Sequence, residues 1–424
     1  MREMKDSGIE WIGEIPKDWN MVPYKRIMHK IKAICEHYNG EDIISLTMNG
    51  VIKRDLTAGG KMPTSFDGYQ YVEPEDLLLC LFDIDVTPRC VGIVRDYGVT
   101  SPAYSRFRVH DGYSNRYYDY LLRAIDDDKV FVHLSKNLRS SLTETDFGAI
   151  KTCAPPLTEQ ERIAAFLDAE CAEIDAVLEK TCASIDEYKK LKQAVITQAV
   201  TKGIRGDRPM KDSGIEWAPS IPYDVSISRI GLHFNIILGK MLCLTPLDET
   251  YTLESYYCAA DVHFEGISKG EKKRMWFNPT EKQQYLVNNG DLLVVEGGAG
   301  AGGCAIVREN DKQMFIQNSI MIVRPKEQSS TRYLRYLMEC FVKQGYIDVV
   351  CNKATIPHFT KDKLSTMPYI VFSIDEQKEI ADYLDVKCTE IDNLISKKEQ
   401  YITEIENYKK SLIYEYVTGK KEVI

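Results

Sequence analysis

Residues 159–201 read EQERIAAFLDAECAEIDAVLEKTCASIDEYKKLKQAVITQAVT, and residues 376–418 read EQKEIADYLDVKCTEIDNLISKKEQYITEIENYKKSLIYEYVT. The two stretches lie on each other without a gap at a constant offset of 217. Leu167, Ile174, Tyr188 and Val195 recur at multiples of seven on one seam, with Cys171, Leu178 and Ile185 on another. The second copy keeps this register through Leu384, Ile391, Ile405 and Leu412, and through Cys388, Ile395 and Ile402. A seven-residue apolar repeat predicts long helices that bury a seam. It is interrupted by polar residues at matched places, Thr181/Lys398 and Lys192/Lys409. Thr158 and Ser373 are the expected N-caps, acidic residues fill both first turns, and Gly203 and Gly419 are the expected stops.

The duplication extends outward from the helices. Met4 to Trp11 reads MKDSGIEW and is repeated as Met210 to Trp217, each copy leading to a Pro-marked turn at Ile15-Pro16 and Ile221-Pro222. The order is therefore domain, helix, domain, helix: 1–157, 158–204, 205–372 and 373–424. The fold class expected is α+β, with two mixed α/β domains alternating with two long helices. Those helices pair as an antiparallel coiled coil, giving a pseudo-twofold internal repeat. The alternative is that each helix lies only on its own domain. At ~1.5 Å per residue the rods would be roughly 60 Å long.

Both domains carry the same signals in the same order. Asp76-Leu-Leu-Leu-Cys80 and Asp291-Leu-Leu-Val-Val295 read as buried strands, each followed by a second apolar run, Val91 to Val94 and Ala305 to Val307. Tyr117 to Ile125 and Tyr333 to Phe341 read as helices. The flanks of the domains are nearly copied while the interiors diverge, as expected of two binding modules with different specificities.

Composition sets limits on function. With 44% hydrophobic and 28% charged residues the chain is of ordinary globular type, and no apolar run is long enough for a membrane span. Cytoplasmic residence without a membrane partner is expected. The twelve cysteines form no CxxC pair and the seven histidines no cluster, so free thiols and no metal site are expected. The net charge of −9 is unevenly spread: residues 207–372 are neutral and residues 373–424 carry −4. Bulk acidity does not exclude a local basic face.

Catalytic signatures are missing. Gly298-Ala-Gly300-Ala-Gly-Gly303 matches GxGxxG, but Cys304 to Val307 reads as a strand where a dinucleotide cradle needs a helix. The sequence has no Asn/Asp-Pro-Pro-aromatic tetrapeptide, no Walker-type loop and no HExxH, and Glu271-Lys272-Lys273 lacks a preceding Pro-Asp. Basic and aromatic residues interleave at Tyr104-Ser-Arg106-Phe-Arg108, where a strand places Tyr104, Arg106 and Arg108 on one face. Arginine suits guanine edges and phosphate forks, although a sheet face with ordinary salt bridges has the same pattern. Lys272, Lys273 and Arg274, beside Trp276, suit phosphates or a solvated charge run.

Taken together, the duplicated MKDSGIEW…IP opening, DLLLCLFDIDVTPRCVGIV (Asp76 to Val94), RSSLTETDF (Arg139 to Phe147) and PPLTEQ (Pro155 to Gln160), echoed by FSIDEQ (Phe372 to Gln377), resemble the specificity subunit of Type I restriction–modification enzymes. The resemblance covers essentially the whole chain. It implies a non-catalytic reader of double-stranded DNA, with one recognition domain for each half of a bipartite, asymmetric site. The helices would be a ruler, and two methyltransferase subunits would dock on them. S-adenosylmethionine, ATP and Mg would be bound by the methyltransferase and motor-nuclease partners, with no cofactor on this chain. The candidate DNA-binding residues are Arg89, Tyr104, Arg106, Arg108 and Arg139 in the first domain. In the second they are Lys272, Lys273, Arg274, Gln317, Asn318 and Lys353, the amides because they pair well with adenine. The candidate seam is Leu167, Ile174, Leu178, Ile185, Leu384, Ile391, Ile395 and Ile402. Two other readings are a self-contained DNA methyltransferase or nuclease, and a coiled-coil scaffold that does not bind DNA.

Overall fold

The computed structural model describes residues 2–57, 63–135, 140–308, 313–351 and 358–423. Two compact units are formed, one from Met1–Cys182 with Glu399–Ile424 and the other from Ala183–Lys398. The core of the first unit is an antiparallel sheet of β1 (Met28–Ile31), β2 (Leu77–Leu79), β3 (Val91–Ile93) and β4 (Ser105–Val109), in the order β1-β4-β2-β3. Leu77 and Leu79 point to the face covered by helix α1 (Asn115–Asp127), where they meet Phe107, Tyr117, Leu121 and Ile125. Leu78 points the other way, onto Ile44, Val51, Val72 and Val94. Burial on both faces explains an unbroken Leu run where a half-exposed strand would alternate. Ser114 caps α1, its side chain accepting from the Tyr117 amide.

From the first unit the chain enters α2 (Leu157–Lys202). The second unit holds β5 (Phe234–Leu238), β6 (Thr252–Tyr257), β7 (Arg274–Phe277), β8 (Leu292–Val295), β9 (Cys304–Ile306), β10 (Phe315–Ile316) and β11 (Ile320–Pro325), then α3 (Thr331–Lys343) and, as far as Lys398, α4 (Ile374–Val417). Its main sheet runs β5-β11-β8-β9, antiparallel throughout and in the same order as in the first unit. A second sheet, β7-β6-β10, stands beside it. The Gly-rich stretch 296–303 is the turn between antiparallel β8 and β9, which leaves no helix N-terminus for a dinucleotide.

Each domain is tied to both long helices by matched bonds. In the first unit Gln160, fully buried, accepts from the Ser114 amide at 2.8 Å and donates to the Pro155 carbonyl at 2.8 Å. In the second, Gln377 accepts from the Ser330 amide at 3.0 Å and donates to the Phe372 carbonyl at 2.8 Å. The far helix is held by a tyrosine. The Tyr117 hydroxyl donates to the Val417 carbonyl at 2.7 Å, and that of Tyr333 to the Val200 carbonyl at 3.0 Å. A domain thus grips the start of one helix and the end of the other, which requires the helices to run antiparallel.

Cross-helix contacts agree with that direction. In the first unit Phe166 packs on Tyr416, and Lys409 donates to Asp175 at 2.6 Å. In the second unit Lys192 donates to Asp392 at 2.7 Å, and the Lys398 ammonium lies 5.7 Å from the centre of the Tyr188 ring. Of the polar interruptions of the seam, Lys192 and Lys409 are therefore register pins, each meeting an Asp on the opposite helix. Leu167, Ile185, Leu384, Ile391 and Ile395 are buried, and Ile174, Leu178 and Ile402 half-buried. Helix ends also pack on the domains: Ile163, Leu167, Leu412 and Val417 join the first core, and Ile196, Val200, Ile380 and Leu384 join that of the second. The two packing arrangements weighed from sequence thus occur together.

Ser373 caps α4, its hydroxyl accepting from the Glu376 amide at 3.3 Å. The other expected cap is corrected: α2 begins at Leu157, so Thr158 lies inside its first turn, and the Pro156 carbonyl accepts from the Glu159 and Gln160 amides. The MKDSGIEW segments form hairpins that receive helix ends. In the first unit Tyr414 donates to the Trp11 carbonyl at 2.9 Å and Lys420 to that of Ile12 at 2.6 Å. Gly419 (φ +71°) sits so close to this hairpin that an added Cβ would meet Pro16 at 2.5 Å and Trp19 at 2.9 Å. Gly419→Ala is expected to cost about 2–3 kcal/mol, strain of a left-handed residue plus overlap. Gly8→Ala, at φ +73° in open space, should cost about 1 kcal/mol. Thermal unfolding of the two variants checks the difference, and equal losses would contradict the packing role of Gly419.

Candidate nucleic-acid interface

β4 does place Arg106 and Arg108 on one face, but their donors are used inside the first domain. Arg106 is 2% exposed. Its Nε donates to Asp76 at 2.5 Å and its Nη1 to the Tyr71 carbonyl at 2.9 Å, with Glu73 3.4 Å from Nη2. Arg108 donates from Nε to the other Asp76 oxygen at 3.0 Å and also pairs with Glu73. The Arg108 guanidinium in turn holds the Glu73 carboxyl below its ordinary range. Asp76 opens β2 as Asp291 opens β8, and Asp291 receives a two-pronged bond from Arg324 of β11 at 2.8 and 2.9 Å. The arginine stripe is therefore a structural lock common to both domains. Arg106 is corrected from a reading residue to a buried partner of Asp76, because a guanidinium so enclosed presents no exposed donor to a base edge.

The remaining first-domain candidates are dispersed. Arg89 lies 3.2 Å from Asp127, at the end of α1. Tyr104 is half-buried against the core, and burial pushes its hydroxyl above its ordinary range. Arg139 falls outside the described residues, as does Lys353 of the second domain.

In the second domain the candidates converge. Gln317 and Asn318 form the turn from β10 to β11. The Gln317 side-chain Oε1 accepts from the Ser319 backbone N–H at 3.2 Å, while its Nε2 donates to Asn318 Oδ1. The Asn318 backbone N–H donates to the Lys240 carbonyl at 2.8 Å, and that of Gln317 to the Tyr257 carbonyl at 3.2 Å. One residue along β6, the Tyr256 N–H donates to the Lys273 carbonyl at 3.0 Å. Loops 239–243, 258–273 and 317–319 are thereby laced together by their backbones. Lys272 is spent within this cluster, donating to Asp261 at 2.6 Å and to the Ser268 carbonyl at 2.7 Å. Arg274 gives one nitrogen to the Leu253 carbonyl at 2.7 Å and stays exposed. Lys273 is exposed, with no side-chain ion pair or hydrogen bond seen among the described residues. An exposed cation and two half-exposed amides, on segments joined to the two edges of β6, can engage a phosphate and a base edge respectively.

Sequence reasoning missed Met241, Leu242, Leu244 and Leu247 on the loop after β5, all exposed. It also missed matched apolar positions on the long helices. Val177 and Leu394 are 40% and 42% exposed and stand at offset 217; Leu191 and Tyr408, 48% and 55% exposed, are related in the same way. Val177 and Tyr408 belong to the first unit beside the Asp175–Lys409 pair, and Leu191 and Leu394 to the second beside Lys192–Asp392. Their signal was the shared offset, applied to outward positions rather than to the seam.

Comparison with known proteins gives one consistent result. The profile of the Type I restriction modification DNA specificity domain matches residues 270–407. The chain is 24% identical over 443 residues to the putative type I restriction enzyme MjaX specificity subunit of Methanocaldococcus jannaschii, spanning 97% of this chain and 96% of that protein. It is 25% identical over 292 residues to the MjaVIII specificity subunit of the same organism, spanning 65% of this chain and 63% of that one. Among solved structures it superposes with a TM-score of 0.71 on a chain from a study of complex assembly and conformational transition of the type I R-M system, at 16% identity, covering 96% of this chain and 99% of that one. The HsdS subunit of Thermoanaerobacter tengcongensis aligns with a TM-score of 0.54 at 16% identity, covering 96% and 98%. These structures share the fold.

The two kinds of basic residue predict opposite behaviour. Asp76→Ala strands the Arg106 charge in the core and should destabilise the first domain by about 3–5 kcal/mol. Lys273→Ala should change stability by less than about 0.5 kcal/mol. It should weaken duplex binding evenly across sequences and reduce the slope of log K against log salt by about 1. Denaturation and salt-dependent binding of the two variants separate the roles; a large stability loss in Lys273→Ala would contradict its placement.

Proposed function

Because the chain belongs to the DNA specificity subunits of Type I restriction–modification systems, we propose that each mixed domain reads one half of a bipartite, asymmetric duplex site. The chain is non-catalytic and recognises the DNA target within a Type I complex. The observation that carries the division of labour is the duplicated clamp: Gln160/Tyr117 and Gln377/Tyr333 hold two domains of one strand order in equivalent settings. The loops those domains present share little sequence. Equivalent mounting with different loops is the arrangement needed to read two unlike half-sites with one chain. In the second domain Gln317 and Asn318 are the favoured reading residues, with Lys273 as a phosphate contact. Arg89, Arg108, Tyr104 and Arg274 take supporting roles in this reading.

Two methyltransferase subunits are the partners that a repeated outward face suits. Val177 with Tyr408 and Leu191 with Leu394 give each unit one exposed apolar pair at the same helical positions. Two copies of one protein would find two copies of one patch. S-adenosylmethionine and adenine methylation belong to those partners, and ATP with Mg to motor-nuclease subunits.

Reconstitution with methyltransferase subunits and mapping of methylated adenines should return a two-part motif. Asn318→Ala is expected to relax one base position in one half only, at about 1–3 kcal/mol, and changes in both halves would refute separate reading. Native mass spectrometry tests docking. Val177→Asp with Tyr408→Asp should reduce the stoichiometry from two methyltransferase copies to one, and adding Leu191→Asp with Leu394→Asp should remove both. Full assembly of the fourfold variant would place the docking face elsewhere.

A further inference from the structure

The loop after β5 exposes four large aliphatic side chains within seven residues: Met241 is 73% exposed, Leu242 50%, Leu244 70% and Leu247 76%. Apolar surface concentrated in this way signals a contact surface. The root of the loop is fastened at several points. Lys240 N–H donates to the Ile316 carbonyl at 3.1 Å, Trp276 N–H to the Cys243 carbonyl at 3.0 Å, and the Asn318 amide to Met241 Sδ at 3.5 Å. Pro246 stiffens the tip, and Asp248 beyond it is turned onto Thr250, whose hydroxyl donates to it at 2.5 Å. The residues that fasten the loop are thus Asn318 itself and Trp276, the latter on β7 two residues from the exposed Arg274.

We propose that Leu244-Thr245-Pro246-Leu247 is an apolar wedge that enters duplex DNA within the half-site of the second domain and unstacks one base step. This rests on the DNA-reading function inferred above. Leu, Met and Pro are the residue types that wedge between base steps, at a cost of a few kcal/mol of unstacking that is offset by the contacts bending permits. A wedge needs cations beside it to hold the backbone, and Lys273 and Arg274 are exposed on the adjoining segment. It also needs a rigid root, which the Trp276 and Ile316 bonds provide. The amides and a lysine with no side-chain partner seen among the described residues suit base edges and phosphates. The wedge adds specificity where no hydrogen bond is made, because pyrimidine–purine steps unstack most easily.

The test uses the assembled complex with its methyltransferase subunits and duplexes carrying 2-aminopurine at successive positions of the second half-site. The wild type should show increased fluorescence at one step. The L244S/L247S variant should lose that signal and bind the full site about ten- to a hundredfold more weakly, an effect of about 1.4–2.8 kcal/mol. Its first half-motif should remain unchanged by methylation mapping, and its thermal midpoint should match the wild type, since both side chains are exposed. A wild-type complex that methylates a two-part motif without any fluorescence rise in that half would overturn the wedge alone. So would a variant that sheds methyltransferase subunits while fluorescence persists, since the loop would then dock protein. A wild-type complex without a two-part motif would remove the reading function, and the wedge with it.

Discussion

The architecture depends on how four buried helix ends are satisfied. A long helix leaves amides at its start and carbonyls at its end without intrahelical partners, and burying them unpaired is expensive. Here a tyrosine of each domain supplies a partner at the end of one helix, Tyr117 to Val417 and Tyr333 to Val200, while a buried glutamine in the first turn of the other, Gln160 or Gln377, ties that helix start to the domain. Each domain meets one helix start and one helix end, so the antiparallel direction and the register follow from the same few bonds. The Lys–Asp pins in each unit then repeat that register along the pair.

Within this frame the domains differ in ways that compensate locally. Asp119 and Arg123 of α1 pair at 2.7 Å, and Arg335 and Glu339 at the equivalent turns of α3 pair at 3.1 Å with the charges exchanged. Because both members are withdrawn from solvent, either could change only with the other. The Asp–Arg lock across the sheet is kept in both domains, as Asp76–Arg108 and Asp291–Arg324.

The helices were legible because periodicity and the constant offset are properties of sequence alone. Strand order was partly legible, since the Leu run of β2 and the Leu-Val run of β8 can only be buried on both faces. Candidate reading residues were less so. Alternation put Arg106 and Arg108 on one face, but it could not show that Asp76 on the neighbouring strand would consume them. Lys272 and Lys273 are adjacent in sequence, yet one is tied to Asp261 and the other is exposed, a distinction made by the fold of loop 258–273. The Met241 to Leu247 run has the composition of a strand, and only its lack of burial sets it apart.

The first compact unit is assembled from the earliest and the latest parts of the chain, Met1–Cys182 and Glu399–Ile424, whereas the second is one uninterrupted segment. During synthesis the second unit therefore has all its pieces while the first still lacks the helix end that fills its core. Leu412, Ile413 and Val417 are the late arrivals, and until they emerge the Tyr117 hydroxyl and the Trp11 hairpin have nothing to hold. Closing that long-range contact carries the larger loop-closure entropy cost. The domain translated first is completed last, so ribosomal output and folding run in opposite orders along this chain.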